Sequence, residues 1–255
     1  MDKSEIHKNK MRPLDIPANQ TLEFVQAHLP SSPARILEIG CGNGELAHRL
    51  QVLGHQIIGI DSSPEAVRDA RQLGVDARIA QWPEFDDSPF DAILFTRSLH
   101  HIHHLDETIE KAASLLKSSG RIIVEDFAFD EIDRSTVEWF YGVLTLLNTC
   151  GRLILDDEDS FGKALLRGNG DFEIWHREHD HDLHSAVKMF SALKNYFAPL
   201  VETSAPYVYR YLRPLLENDK QGYTIASQVF DLEKSLAQTG AIKLSDGVSL
   251  EESSL

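Results

Sequence analysis

Five aliphatic runs, each except the third followed by a stretch of helical or glycine-rich spacing, predict an α/β protein with a parallel sheet covered on both faces. Two further observations point the same way. The run Ile36-Leu37-Glu38-Ile39 passes through Gly40-Cys41-Gly42-Asn43-Gly44 straight into a helical pattern that begins at Glu45, a strand, a tight turn and a helix. Polar residues also gather where the runs end, as at Asp61 and at Glu125-Asp126, which is where open parallel sheets bind ligands.

The elements justify themselves in order. Residues 1 to about 17 are polar and carry Pro13 and Pro17, the pattern of an arm with little structure of its own. Leu22, Val25 and Leu29 form a short helical stripe that ends before Pro30, so 1–30 reads as an N-terminal arm and helix. Arg35 to Ile39 is the first strand. Leu46, Leu50 and Leu53 then recur at helical spacing up to Gly54. Gln56 to Ile60 is a second strand ending in Asp61, and Ser63-Pro64-Glu65 supplies an N-cap, a first-turn proline and an early acid for the next helix. A short third strand fits Val75 to Ala80 and a fourth Phe90 to Phe95. The run Thr96-Arg97-Ser98-Leu99-His100-His101-Ile102-His103-His104 leads to a helix carrying Ile109, Ala112 and Leu116, and Arg121 to Asp126 is a fifth strand.

Beyond Asp126 the pattern changes. Val137, Phe140, Tyr141, Val143, Leu144 and Leu147 make a helix apolar almost all round, expected to be buried between two layers. Asp156 to Asp182 is polar and irregular, and Ala186, Phe190, Leu193 and Phe197 restore helical spacing. A sixth strand is expected within Pro199 to Tyr211, a helix over Gln228 to Leu236 and a last strand over Ala241 to Leu250. Residues 127–185 are too many for a plain crossover and read as a helical cap inserted after the fifth strand of one domain spanning 1–255.

Composition narrows the partners. Lys+Arg 25 against Asp+Glu 40 leaves a formal net charge of −15, which repels phosphate backbones and anionic lipid. No nucleic acid and no membrane are expected as partners; a small molecule is. No apolar leader or spanning run is evident, which suggests a cytoplasmic protein, monomeric or homodimeric. Cys41 and Cys150 offer no disulfide framework.

Glu38-x-Gly40-x-Gly42-x-Gly44, Asp61 at the end of the second strand, Phe90-Asp91 opening the fourth and Ser98-Leu99-His100-His101 after it together resemble the class I S-adenosylmethionine-dependent methyltransferases of small-molecule type. The resemblance implies a Rossmann-like three-layer αβα sandwich with a seven-stranded mixed sheet whose last strand runs antiparallel. It also implies S-adenosyl-L-methionine as the cofactor and a methyl group transferred to an O, N or C nucleophile of a small-molecule acceptor.

Chemistry supports the carry-over at named positions. Gly40, Cys41 and Gly42 let the backbone lie against the cofactor without a Cβ clash. Glu38 would face its ammonium group, and Asp61, with Ser62 beside it, would accept from the ribose hydroxyls. Glu38 could equally cap local amides, and Asp61 a helix. With the ligand as its partner, Asp61→Ala is expected to cost little stability. After the third strand Gln81 stands where the family usually has an acid, and Trp82 could stack on the adenine or simply fill core. Thr96 and Arg97, at the end of the fourth strand, complete the expected cofactor contacts.

Methyl transfer to a hydroxyl or a protonated amine needs a base, and His101, with His100 second, follows the fourth strand where one is wanted. Either histidine could instead only fix the loop. His104, Glu125, Trp175 and His179 are the expected acceptor contacts. Twelve histidines also raise a metal reading, through His100, His101, His103 and His104 facing His176, His179, His181 and His184. Without cysteine ligands or a zinc spacing, no metal is expected. A binding or regulatory subunit with the same fold is the alternative to an enzyme, and the early third glycine disfavours a nicotinamide cofactor.

Overall fold

The computed structural model describes residues 11–155, 160–179, 183–197 and 202–244, which divide into two units. The first draws on Gln20–Asp130 and Asp182–Ser204. It holds β1 (Arg35–Ile39), β2 (Gln56–Asp61), β3 (Asp76–Ile79), β4 (Phe90–Thr96) and β5 (Leu116–Glu125). These form one sheet in the order β3-β2-β1-β4-β5, and every pairing is parallel. The chain therefore builds outward from β1 to one edge, returns, and builds to the other. This reversal opens a crevice beyond the carboxyl ends of β1 and β4.

The register brings those ends level. Ile39 pairs with Ile60 on one side and Phe95 on the other, and Thr96 pairs with Glu125. Helices α1 (Asp15–His28), α2 (Glu45–Val52) and α3 (Pro64–Gln72) follow the sequence pattern, whereas α4 (Leu105–Leu115) ends one residue before Leu116, which is expected on its face and instead opens β5, pairing with Phe90 of β4. Ser63 caps α3 by accepting from the Ala66 N–H at 3.2 Å, ahead of Pro64 in the first turn.

Strand alternation feeds two cores. Ile36 packs with Val25 of α1, Ala47 and Leu50 of α2, and Val67 and Ala70 of α3. Leu37 and Ile39 face the other way, into a cluster with Ile109, Ala112 and Leu115 of α4 and with Met189 and Leu193 from the helix Ala186–Lys194. Helices thus cover both faces of the sheet, as the continuous aliphatic strands required. Each buried aliphatic side chain is worth about 1.5–3 kcal/mol.

The second unit draws on Glu131–His181 and Ala205–Ser245, with residues up to Asn19. Its helices are α5 (Arg134–Thr149), α6 (Phe161–Arg167), α7 (Phe172–His179) and, after α8 (Ala186–Lys194) of the first unit, α9 (Lys220–Gln238); a 3-10 run occupies Val208–Leu215. Aromatic rings fill its interior: Phe161 stacks on Phe140 at 6.3 Å and meets Tyr211 at 4.8 Å, with Trp175 edge-on at 5.2 Å.

Several expectations are corrected. The sheet has five strands rather than seven and is parallel rather than mixed among the described residues. No sixth strand runs through Tyr207 to Tyr211. The buried carboxylate of Glu233 accepts the N–H groups of Tyr207, Val208 and Tyr209 at 2.7 to 3.0 Å, so these donors serve a side chain instead of a ladder. Residues 241–244 form no strand, and the rest of the expected last strand lies outside the described residues, as do Asp156 to Asp159 and His181. Helix α5 buries only one face, through Thr136, Val137, Phe140 and Leu144, while Leu146 is 64% exposed. Asp15 to Pro17, expected in the arm, belong to α1.

Candidate functional site

The glycine turn shows why small residues are needed. Gly40, Gly42 and Gly44 all have positive φ, at +74°, +53° and +74°. Their surroundings differ. A Cβ on Gly40 would lie 2.6 Å from Ser98 Cβ, and one on Gly44 would lie 2.6 Å from Ala70 Cβ and 2.9 Å from its Cα, so both seat the turn against neighbouring elements. A Cβ on Gly42 would meet nothing within 4 Å: this glycine faces open space. The N–H groups of Gly40 and Cys41 both donate to Ile60 O, at 2.9 and 3.0 Å, tying the turn to β2.

Asp61 closes the turn from the other side. One carboxylate oxygen accepts the Gly42 N–H at 2.9 Å and the other the Ser63 N–H at 2.8 Å. Each oxygen keeps a lone pair for a further donor. Cys41 is buried, and the space it fills exists because the facing residue is Gly59, where a Cβ would lie 2.8 Å from Cys41 Sγ. Burial pushes the Cys41 thiol up to about 12, and the nearby carboxylates of Glu38 and Asp61 add to this.

Beneath the turn lies Glu38, 2% exposed. Its Oε1 accepts from Thr96 Oγ1 at 3.0 Å, while Oε2 is buried and makes no hydrogen bond among the described residues. Burial raises its carboxyl from the usual 4.5 to about 7, against the opposing Thr96 hydrogen bond, Arg97 charge and Ala47 backbone N–H. A buried acceptor without a donor is open to a donor from outside the chain.

At the end of β4, Arg97 holds φ +57°. Its N–H donates to Glu125 O at 2.6 Å, and its exposed guanidinium lies 3.7 Å from Glu125 Oε2. Glu125 is buried and also accepts from Thr21 Oγ1 at 3.0 Å. Ser98 Oγ donates to Ile39 O at 2.6 Å, which fixes the loop after β4 onto the glycine turn. His100 is buried, with its ring Nδ1 and its backbone N–H on Asp126, and its ring lies 3.9 Å from the ring of His101, which is exposed. His104 is exposed, with φ +57°, at the start of α4.

The structure therefore brings Glu38, Gly40, Cys41, Gly42, Asp61, Thr96, Arg97, His100 and Glu125 to the carboxyl end of one sheet. Ser62 and Gln81 lie exposed there. Trp82 takes the core role: its ring packs edge-on to Phe95 at 6.2 Å and its N–H donates to Thr108 O at 3.3 Å. Trp175 and His179 lie within the second unit. Trp175 is 1% exposed, and His179 bridges Trp175 O at 2.7 Å and the Tyr211 hydroxyl at 2.5 Å. Among the described residues no group of three or more His, Cys, Asp or Glu side chains could hold a metal ion. His184 meets the loop after β4 through its own N–H on His100 O and its ring on Ile102 O, both at 2.9 Å. Ser98 and Thr21 carry no local signal of their roles, because their partners lie 59 and 104 residues away.

The residues fit S-adenosylmethionine: Oε2 of Glu38 makes no hydrogen bond among the described residues, Gly42 leaves room for close approach, and Asp61 retains acceptor capacity at the end of β2. Comparisons with known proteins agree. The family model described as a methyltransferase domain matches residues 16–173. The ubiquinone biosynthesis O-methyltransferase of Xylella fastidiosa is 34% identical over 112 residues, covering 40% of this chain and 46% of that protein. A Xanthomonas axonopodis protein of the same name is also 34% identical, so the match spans about half the length of these curated relatives. Among solved structures, phosphoethanolamine N-methyltransferase 2 of Haemonchus contortus shares the fold with a TM-score of 0.55 at 13% identity, over 92% of this chain and 53% of that one. The plantazolicin methyltransferase BpumL does so with a TM-score of 0.51 at 16% identity, over 94% and 85%. With the parallel sheet, the glycine turn and a family match over more than half its length, the chain belongs to the S-adenosylmethionine-dependent methyltransferase-domain family.

Proposed function

We propose that this protein is a methyltransferase that moves the methyl group of S-adenosylmethionine to a hydroxyl oxygen of a small-molecule acceptor. The observation that carries the reading is Glu38, a buried carboxylate directly beneath a glycine turn whose Oε2 makes no hydrogen bond among the described residues. The cofactor supplies an activated methyl group on a sulfonium. The chain's residues hold it: Glu38 the ammonium, Gly40 to Gly42 the amino-acid and ribose portions, and Asp61 the ribose diol, while Thr96 keeps Glu38 in place.

Oxygen is favoured over nitrogen or carbon by the O-methyltransferase names of the 34%-identical relatives and by the presence of a base. A phenolic or alcoholic proton must leave as the new bond forms, and histidine accepts protons near neutral pH. His100 is the better placed of the pair, because its ring is buried and anchored, whereas His101 is exposed and lies tilted beside it. Arg97 and Glu125, 3.7 Å apart, would offer the acceptor one cation and one anion. The acidic net charge of −15 favours a small acceptor over a polyanion.

Isothermal titration with S-adenosylmethionine, followed by transfer of a labelled methyl group to a panel of phenols and amines, tests the reading. Micromolar binding and label on oxygen are expected. No binding at high micromolar concentration refutes the cofactor assignment, and binding without transfer to any acceptor in an extract favours a regulatory subunit.

A further inference from the structure

We infer that Asp126, the residue just after β5, is the positioning residue that makes His100 a proton acceptor, by holding the imidazole in the tautomer that leaves Nε2 bare. The inference rests on the hydroxyl-acceptor reading for its use in catalysis, but its geometry stands independently.

Asp126 is buried, with no exposed side-chain surface, and receives three hydrogen bonds on two oxygens. Oδ2 accepts the His100 backbone N–H at 3.0 Å; Oδ1 accepts the Phe127 N–H at 2.8 Å and also meets His100 Nδ1. Two of the donors are backbone groups, so the carboxylate cannot turn away without abandoning them. An acid wanted only to end β5 and tie it to the loop after β4 would need those two bonds alone. The third goes to a ring nitrogen 26 residues away, and it fixes which nitrogen carries the proton. A carboxylate accepts only, so a neutral ring against it holds hydrogen on Nδ1 and a lone pair on Nε2. Among the described residues Nε2 makes no hydrogen bond, and 9% of the side chain remains exposed, so Nε2 is the ring nitrogen left for a ligand.

The loop that carries the ring is held from both sides. Ser98 Oγ ties it to Ile39 O beside Gly40, and the His184 N–H ties it to His100 O at 2.9 Å. Ring, carboxylate and glycine turn thus share the carboxyl end of one sheet. In the step, the proton leaves the acceptor oxygen for Nε2, and the resulting imidazolium keeps its Nδ1–H on the Asp126 carboxylate, whose negative charge offsets the new positive one. Asp126 touches neither acceptor nor cofactor. It acts through His100.

Long-range 15N–1H spectra of histidine-labelled protein test this without any acceptor, the His100 ring being assigned by its absence from His100→Asn. That variant keeps a donor towards Asp126 and so preserves the loop. The parent is expected to show His100 with Nδ1–H, Asp126→Asn to retain that tautomer through its remaining oxygen, and Asp126→Ala to move the proton to Nε2. With the catechol 3,4-dihydroxybenzoate as probe acceptor, kcat should fall roughly 100-fold in Asp126→Ala and His100→Asn and about tenfold in Asp126→Asn, at an unchanged KM for S-adenosylmethionine. An Nε2–H tautomer in the parent, or an unchanged tautomer in Asp126→Ala, overturns the inference. So does a variant whose kcat holds while KM rises. A parent with Nδ1–H on His100 but no transfer to the catechol overturns the phenolic-acceptor reading and upholds the geometry.

Discussion

Cofactor affinity should depend steeply on pH through Glu38, with an opposite trend in the stability of the free protein. In the ligand-free chain its carboxyl, raised by burial to about 7, is largely protonated below that pH, and only the carboxylate can serve as counterion to the cofactor's ammonium. Between pH 7.5 and 5.5 the ionised fraction falls from about three-quarters to roughly 3%, while the α-amino group goes from about two-thirds to fully charged, so affinity should weaken about 15-fold. Stability runs the other way. A carboxyl that titrates higher folded than unfolded contributes most below its unfolded value, and that contribution is lost as the pH rises from 4.5 towards 7. At 1.36 kcal/mol for each pH unit, the displacement amounts to about 3 kcal/mol against the fold above pH 7. Glu38→Gln keeps an oxygen for Thr96 and removes the charge. In the absence of ligand it should unfold at higher denaturant concentration than the parent at pH 8, by up to about 3 kcal/mol, and match it near pH 4.5. Its affinity for S-adenosylmethionine should drop roughly 10- to 150-fold at pH 7.5, the worth of one charged hydrogen bond. Titration calorimetry and urea unfolding at several pH values measure both arms. Equal affinity at pH 5.5 and 7.5, or a glutamine variant less stable than the parent at pH 8, refutes the reasoning.

The three glycines of the turn should separate fold from binding. Gly44→Ala drives a methyl into Ala70 and is expected to destabilise by about 1–3 kcal/mol or more, read as a lowered melting temperature. Gly42→Ala meets no neighbour and should cost only about 1 kcal/mol for its positive φ, yet it should weaken cofactor binding at least tenfold by calorimetry. Asp61→Ala leaves the Gly42 and Ser63 N–H groups without their acceptor, so a loss of about 1–3 kcal/mol in urea should accompany the loss of affinity. Trp175→Ala should cost about 3–5 kcal/mol, as for a buried aromatic; a change in acceptor KM with stability intact would contradict its place in the interior.

What the sequence showed depended on how far apart the partners lie. The strands from Arg35 to Glu125 were legible because each is a local pattern: aliphatic alternation, a proline in the first turn at Pro64, glycines where φ is positive. Glu38 and Asp61 were legible as positions in a motif. Their surroundings were not, because the orphaned Oε2 and the backbone donors on Asp61 exist only once β1, β2 and β4 are side by side. Asp61 shows the cost of this: its place in the motif points to the ligand as its partner, whereas the fold uses both of its oxygens. Trp82 reads equally well as a ligand contact or as core, and Trp175 reads as an acceptor contact although it is 1% exposed, because packing is not visible in a local pattern. The sixth strand failed for a different reason. Tyr207 to Tyr211 is rich in β-favouring residues, but the acid that captures its backbone is Glu233, more than twenty residues downstream on α9, and local propensity is blind to it.

The fit of Cys41 against Gly59 has a practical consequence for anyone labelling this protein. Thiol reagents attack the thiolate, and a sulfur that is shielded from solvent and reluctant to ionise offers them almost none. The chain's other cysteine, Cys150, is exposed at the end of α5. A maleimide dye should therefore mark native protein at a stoichiometry of one, on Cys150, without any cysteine having to be engineered away. Labelling of Cys41 would then report that the turn had come apart, which makes it a chemical clock for unfolding at the cofactor site.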